Sequence, residues 1–420
     1  MRFHDLRERL LGEVHARPAT PLSAPVLATR IAALSGQDAV EEDRAHMAAL
    51  CERFARSAPS AGMRWSWLDT GDWQLRWERH SEFSSWTFFR RRPGNGHSNA
   101  IGAVPADWID AIPGPVLAFT TLNVGESADD FTTRLDPHDA MIASELLGGA
   151  GRLVTDLRPD GQGMTRYDLV MRQSDPILTG RLALSLLEIE TYRMMALLAF
   201  PIAGDAAKQL RRIEEEAGAL AARLAENLGV DDDRALLTRL VTLSGETEAL
   251  NAQTSFRFGA AKAYHQILLD RIDGLGETPL GGFQTLGAFM ERRLGPAMRT
   301  CISVAEREAA VIERIGRAGQ MLNTRVELVT QEINANLLAS MDRRTRAQLR
   351  LQHTVEGLSV VAITYYALSL LTYPLAALGK AFPSFDPKLA AGLLMLPLVA
   401  ACWYLVHHLR HRIGSDPHEV

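Results

Sequence analysis

The stretch "VEGLSVVAITYYALSLLTYPLAALGKAF", Val355 to Phe382, decides the architecture. It holds no charged residue from Gly357 to Gly379, in a chain of 420 residues of which 23% are Asp, Glu, Lys or Arg. A run of this length exceeds the roughly 20 apolar residues that cross the hydrocarbon core of a bilayer. A soluble core helix as long would show a polar edge, and this one shows no charge at all. Gly379, Pro383 and Pro387 mark a short link, after which a second uncharged run, "LAAGLLMLPLVAACWYLV", covers Leu389 to Val406. Two spans so closely joined make a helical hairpin in a membrane.

The flanks predict its orientation. Arg343, Arg344, Arg346 and Arg350 precede the first span, and Arg410 and Arg412, with His407, His408 and His411, follow the second. The connecting loop offers only Lys380 and Lys388. Positive charge gathers on the cytoplasmic side of a membrane, so both chain ends are expected there, at a bacterial inner membrane. The N-terminal "MRFHDLRERLLGEVHARP" has charges throughout and no apolar centre, which is not the pattern of a cleaved secretory signal.

Upstream of the hairpin, one apolar stripe runs through Val311, Ile315, Ala318, Leu322, Val326, Val329, Ile333, Leu337 and Met341 at spacings of three and four. Gly295-Pro296 should kink or start this helix, and no proline follows until Pro374. A helix from Ala297 to Thr372 would be on the order of 110 Å long, the scale of a stalk rather than of a compact domain. Further upstream, residues 181–282 read as helical, with helices over Arg181–Phe200, Asp205–Leu228 and Asp231–Thr254, "GVDDDR" as a loop and cap, and another helix near Ala260–Ile272. The "DGLGETPLGG" segment breaks the pattern.

Residues 1–180 read as mixed α and β. "APVLATRIAAL" (Ala24–Leu34) and "PVLAFTTLNV" (Pro115–Val124) look like strands, and Asp38–Ser57 has helical spacing through Val40, Met47, Leu50 and Phe54. Between Met63 and Arg91, Trp65 and Trp67 precede a "TGD" turn at Thr70–Asp72, and Trp73, Leu75 and Trp77 alternate with polar residues after it, the sign of an antiparallel hairpin. Gly151–Met171 reads as a second hairpin turning at Pro159-Asp160-Gly161. The expectation is therefore an α+β cytoplasmic domain (1–180) arranged as a sandwich, a helical subdomain (181–282), a long stalk helix (283–356), transmembrane helices at 357–378 and 389–409, and a basic tail (410–420).

Composition narrows the function. A net charge of −5 argues against nucleic acid as partner. Cys51, Cys301 and Cys402 lie far apart, without CxxC or Cys/His spacing, which suits a reduced compartment and excludes a disulfide framework or a zinc knuckle. No GxSxG, HExxH or Cys–His constellation occurs, so no enzyme is expected. "LGGAG" (Leu147–Gly151) lacks both the GK[ST] ending of a P-loop and the GxGxxG of a dinucleotide site. The acidic runs Glu214–Glu216 and Asp231–Asp233 read most simply as solvated helix faces.

Some residues still invite a role. His80 and Glu82, two apart on a predicted strand, would share a face and could begin a metal site, although a solvated polar face is the simpler reading. His15 and Arg17 could bind an anion or bridge subunits, or hold a proline-flanked turn by structural hydrogen bonds. "DPHD" (Asp136–Asp139) is most simply a helix cap. In the first span, Tyr365, Ser369 and Thr372 fall on one line with Tyr366 and Tyr373 beside it; such a line packs against neighbours or faces water. Two helices cannot enclose a water path alone, so a pore would need a homo-oligomer, with Tyr366, Ser369 and Tyr373 as the lining candidates.

Two resemblances add to this reading. The layout resembles the CorA-type divalent-cation channels, whose first span follows an Arg-Thr-Asn segment and ends in a Gly-Met-Asn signature. Here "RTRAQLRLQHTVEGLSVVAITYYALSLLTYPLAAL" gives Arg344-Thr345-Arg346, Leu358-Ser359-Val360-Val361-Ala362 and Ala367-Leu368-Ser369. The resemblance implies a cation as cargo and no resident cofactor. The signature itself is replaced by Ala376-Ala377-Leu378, which lacks the amide and exposed backbone that hold a hydrated cation. Over nearly the whole chain, "EVHARP" (Glu13–Pro18), "RHSEFSSWTF" (Arg79–Phe88), "DLRPDGQGMTRY" (Asp156–Tyr167) and "LLEIETYRMMALLAFP" (Leu186–Pro201) are similar to a bacterial family of membrane-anchored proteins, domain of unknown function thirty-four twenty-two. That likeness implies a lipid partner and no named activity. A membrane-tethered scaffold or sensor, working through the "EVHARP" and "RHSEFSSWTF" surfaces, is the alternative to a CorA-like transporter.

Overall fold

A computed structural model describes residues 3–4, 7, 20–92, 99–127, 141–226, 230–381 and 386–413. His15, Arg17 and the "DPHD" segment lie outside the described residues. The chain divides into two compact units, residues 1–320 and 321–420.

The first unit is built on one sheet. Its strands are β1 (Val26–Ala33), β2 (Trp65–Asp69), β3 (Trp73–Arg79), β4 (Ser84–Arg91), β5 (Val116–Gly125), β6 (Ile142–Leu146), β7 (Gly151–Thr155), β8 (Thr165–Met171) and the two-residue β9 (Thr278–Pro279), in the order β2-β3-β4-β1-β5-β8-β7-β6-β9. The predicted hairpin of β2 and β3 is present. Gly71 takes a φ of +91° at its tip, where Thr70 and Trp73 close the turn through a 3.1 Å backbone bond. The β7–β8 hairpin is also present, but its tight turn falls at Asp160–Gly163 rather than on Pro159-Asp160-Gly161: Asp160 Oδ1 accepts the amides of Gln162 and Met164 at 2.9 and 3.0 Å. β5 and β8 pair in parallel and the other strand pairs antiparallel.

One face of the sheet carries Leu27, Ile31, Leu75, Trp77, Trp86 and Phe88 under α1 (Val40–Arg53) and α2 (Ala106–Asp110). Met47, Leu50 and Trp108 from these helices complete an apolar core rich in indole rings, which bury large areas with few rotatable bonds. The opposite face lies under α3 (Pro176–Leu197). Its N-terminus is capped by Asp175, whose Oδ1 accepts the amides of Ile177 and Leu178, and Pro176 occupies the first turn, where a missing N–H costs nothing.

Helix α4 (Ala199–Leu224) follows at once, and α5 (Val230–Asp273) returns along it. Buried Ala203, Ala206, Leu210, Ile213, Ala217 and Leu220 alternate at three and four along α4, and Leu236, Leu240, Leu243, Thr247, Leu250 and Thr254 do the same on α5. This is the seam of an antiparallel coiled coil. Arg239–Glu216 and Arg212–Glu246 pairs flank it. The two helices expected over Asp231–Thr254 and Ala260–Ile272 are one helix of 44 residues. Thr254, Ser255 and Gly259 at the expected join are weak helix formers, but Thr254 is buried and its hydroxyl bonds both the Leu250 carbonyl and Glu308 Oε2, so tertiary packing carries the helix through. α3 and α4 likewise start earlier than their apolar patterns suggest.

After β9 and the short α6 (Leu286–Arg293), α7 runs from Gly295 to Ala381. It starts at Gly295-Pro296 and has 87 residues, about 130 Å of helix. The stalk helix therefore begins later than residue 283 and continues through Pro374 to Ala381. In the first unit α7 buries Met298, Cys301, Val304, Val311, Ile315 and Ala318. In the second unit it is followed by α8 (Pro387–Ile413), which passes through Pro397 without ending. α7 and α8 are long and apolar enough to cross a membrane. Gly379 lies inside α7 rather than in the link, and Pro387 occupies the first position of α8, as prolines favour.

Candidate functional site

The face of the sheet under α3 does not carry a plain apolar core. Direct cross-strand pairing puts Trp67, Arg76, Thr87, Arg30, Thr120 and Thr165 in one row across β2, β3, β4, β1, β5 and β8. Arg30, Thr87, Thr120 and Thr165 are buried, and Arg76 is only 7% exposed. Lone charges in such a position are rare unless they have partners. Glu78, one pleat further along β3, supplies one: its carboxylate lies 2.9 Å from Arg76 Nη2 and 3.7 Å from Arg30 Nη1. Burial works to raise the Glu78 pKa, but the two guanidinium groups outweigh it and hold the carboxyl below its ordinary range.

The row is closed from above by two elements. Residues Thr20–Leu22 lie along the first turns of α3, where Leu22 N–H bonds the Pro176 carbonyl at 2.8 Å and Thr20 Oγ1 accepts from Arg76 Nη1 at 2.9 Å. Gly180 makes this approach possible, because a Cβ there would stand 1.8 Å from the Thr20 carbonyl oxygen. From α3 itself, buried Glu190 accepts from Thr165 and Tyr167 hydroxyls at 3.2 Å each and is gripped by Arg193 at 2.9 and 2.5 Å. Burial and the nearby Glu190 carboxylate keep the Tyr167 phenol protonated, far above its usual range.

His80 and Glu82 extend the same polar seam. The expected strand ends at Arg79, so both sit in the turn between β3 and β4 rather than two apart on a strand. Glu82 is not a solvated residue either. It is 5% exposed, takes a bidentate pair from Arg257 of α5 at 3.0 and 2.6 Å, and accepts from Tyr264 Oη at 3.0 Å. Burial and Glu82 push the Tyr264 phenol up to about 12. The half-buried His80 ring stacks on Phe83 at 4.1 Å, edge-on to Tyr192 of α3, with Nε2 3.4 Å from Ser85 Oγ. These contacts fasten the turn to α3 and α5.

Chemically, the seam offers guanidinium, carboxylate and hydroxyl groups in fixed geometry, and no nucleophile paired with a base. Cys51 and Cys301 are buried, and burial raises both thiols, which makes them poor nucleophiles. Among the described residues no group of three or more His, Cys, Asp and Glu side chains could hold a metal. "LGGAG" turns β6 into β7, with positive φ at Leu147, Gly148 and Gly149, and opens onto a strand; a phosphate loop opens onto a helix N-terminus. Sequence reasoning singled out His80 and Glu82 but missed Arg30, Glu78, Glu190 and Arg257. The available signal was Arg30 itself, a single charge inside an otherwise apolar or β-branched strand.

In the second unit, Tyr366 and Tyr373 of α7 are exposed and Ser369 is half-buried. Arg343, Arg344, Arg346 and Arg350 are exposed about two to four turns before the uncharged run, and Arg346 pairs with Asp342 at 2.6 Å.

The chain belongs to the family described as a protein of unknown function, DUF3422, whose model matches residues 2–413. No curated protein and no solved structure matches it.

Proposed function

We propose that this chain is a membrane-anchored assembly protein, a sheet-and-helix body tethered to a bilayer by the hairpin of α7 and α8 and gathered into a homo-oligomer through α7. One observation carries the reading. The stripe is buried at Val311, Ile315, Ala318 and Leu322, and then lies open, with Val326, Ile333, Leu337 and Met341 exposed by 38%, 55%, 57% and 56%. An amphipathic helix that bares its apolar stripe in water needs cover from outside the chain. A second copy supplies it with the register already set, since spans held in one bilayer bring identical segments to the same height and direction. The arginines before the first span and the basic end of α8 support an inner-membrane setting with both termini in the cytoplasm. Catalysis forms no part of this reading.

The deciding experiment is the mass of the detergent-solubilised full-length protein. A defined multiple of 46.2 kDa supports assembly, and a monomer at every concentration tested would overturn it. A second reading, a CorA-like conduit for divalent cations, is favoured by the placement of Tyr366, Ser369 and Tyr373 on α7 and opposed by Ala376-Ala377-Leu378 in place of a cation-holding amide. It requires a ring of copies and divalent-cation flux in liposomes. Absence of flux across a panel of divalent cations would exclude it while leaving the tethered assembly standing.

A further inference from the structure

The arginines before the first apolar run are not spread evenly around α7. Arg343, Arg346 and Arg350 recur at spacings of three and four, so they share one face of the helix, and all are exposed. At about 100° per residue, this face stands roughly 150° around the helix from the exposed stripe of Ile333, Leu337 and Met341. A seam closed on the stripe therefore leaves these three guanidinium groups pointing outward. Asp342 pairs with Arg346 at 2.6 Å, but both side chains are more than half exposed, and a surface pair within one helix contributes little. Glu356 is engaged by Gln352 at 3.1 Å and by His353 at 3.6 Å.

Height matters as much as direction. Arg350, Arg346 and Arg343 precede Gly357, where the uncharged run begins, by about two, three and four turns, or roughly 10, 16 and 21 Å of helix. The headgroup layer extends roughly 5–8 Å beyond the hydrocarbon core, and an arginine stem lets its charged end reach towards it. Arg350 thus comes within reach of the lipid phosphates. With their side chains extended, Arg346 and Arg343 lie within a screening length of about 8–10 Å from the same layer. The end of α8 has a matching pattern. Exposed Trp403 and Tyr404, residue types that sit at a bilayer interface, stack on His407 and His408 one turn later, and Arg410 and Arg412 follow. In a hairpin that end meets the same leaflet as Arg350.

We infer that the Arg343, Arg346 and Arg350 face of α7 binds the headgroups of anionic phospholipids in the leaflet it enters. Each guanidinium offers parallel N–H donors to two phosphate oxygens, and Arg346 and Arg350, one turn apart, bracket a single phosphodiester. Phosphatidylglycerol presents that charge with no cation of its own, whereas the choline group of phosphatidylcholine opposes the arginines. The inference rests on the membrane anchor proposed above and adds what the anchor selects. Orientation alone needs positive charge on one side of the bilayer, in any arrangement around the helix; a headgroup site needs the charges on one face.

The test is lipid retention by the full-length protein. It is reconstituted into vesicles of equal parts phosphatidylglycerol and phosphatidylcholine, extracted in mild detergent, and its bound lipids are counted by native mass spectrometry. The expected result is an excess of bound phosphatidylglycerol of about fivefold or more, undiminished by inorganic phosphate in the buffer. Arg346→Gln with Arg350→Gln should bring the ratio close to one. Arg350→Gln alone should remove most of the excess, whereas Arg344→Gln takes one charge from the stripe side and should leave most of it. Equal retention of the two lipids by the parent, or as large a loss from Arg344→Gln as from Arg350→Gln, would overturn the inference. Displacement of the lipid by inorganic phosphate would overturn it too, as the mark of a free-anion site. An alkaline carbonate wash of the same vesicles separates this failure from that of the anchor. Protein that stays with the vesicles but shows no lipid preference ends the inference alone, and protein released by the wash ends both.

Discussion

Single residues set sharp limits on the first unit. Gly180→Ala would drive a methyl group into the Thr20 carbonyl, which cannot yield without moving backbone. We expect a loss of about 2–3 kcal/mol, read by denaturant unfolding, with no change in helix content. Glu82→Gln leaves Arg257, 19% exposed, without its charged partner and should cost about 3 kcal/mol. A double-mutant cycle with Arg257→Met should recover much of that loss, whereas additive losses would mean that the pair is not coupled. His46 stacks on Trp108 at 4.2 Å, and burial lowers its pKa from 6.5 to about 4. The unfolded chain therefore binds the proton first, and stability falls as pH drops from about 6.5 towards 4. His46→Phe should flatten that fall, and the difference between variant and parent melting curves isolates this residue from Asp43, whose burial shifts it upward.

Among the elements, the exposed half of the α7 stripe makes the clearest demand. Ile333→Asp with Leu337→Asp should convert the solubilised complex to monomer while far-UV circular dichroism stays unchanged, because both residues are more than half exposed in the single chain. The sequence was legible wherever one local pattern decided the element. The Trp65–Trp77 alternation marks its hairpin, and the three-four spacing from Val311 to Met341 falls on one unbroken helix. It misled where a tertiary partner overruled propensity, as at Thr254, whose hydroxyl reaches Glu308 on a helix far along the chain. β6 and β9 escaped notice because each is short and takes its place only through pairing, β6 with β7 and β9, and β9 with β6. The polar row was illegible for a related reason: its members come from six strands, and no local spacing brings Arg30, Arg76 and Thr120 to one face. Glu82 looked solvated because its arginine lies 175 residues away.

For the whole molecule, the two apolar helices predict behaviour that composition would not. The full-length protein should stay with membranes through an alkaline carbonate wash and leave only with detergent. Release by carbonate would remove the membrane anchor and with it the proposed assembly. Protease added outside intact spheroplasts should spare the sheet-bearing unit, and the same protease applied to inside-out vesicles should remove it. Digestion in the first case would reverse the proposed orientation.

The bond between Glu82 and Arg257 also bears on how this chain varies by descent. Either partner, substituted alone, strands a charge under cover, so drift at one position is penalised until the other follows. Among distant cousins the two positions should thus change hands together, carboxylate with guanidinium or neither. A lineage that kept one without the other would reveal a rebuilt join between the β3–β4 turn and α5.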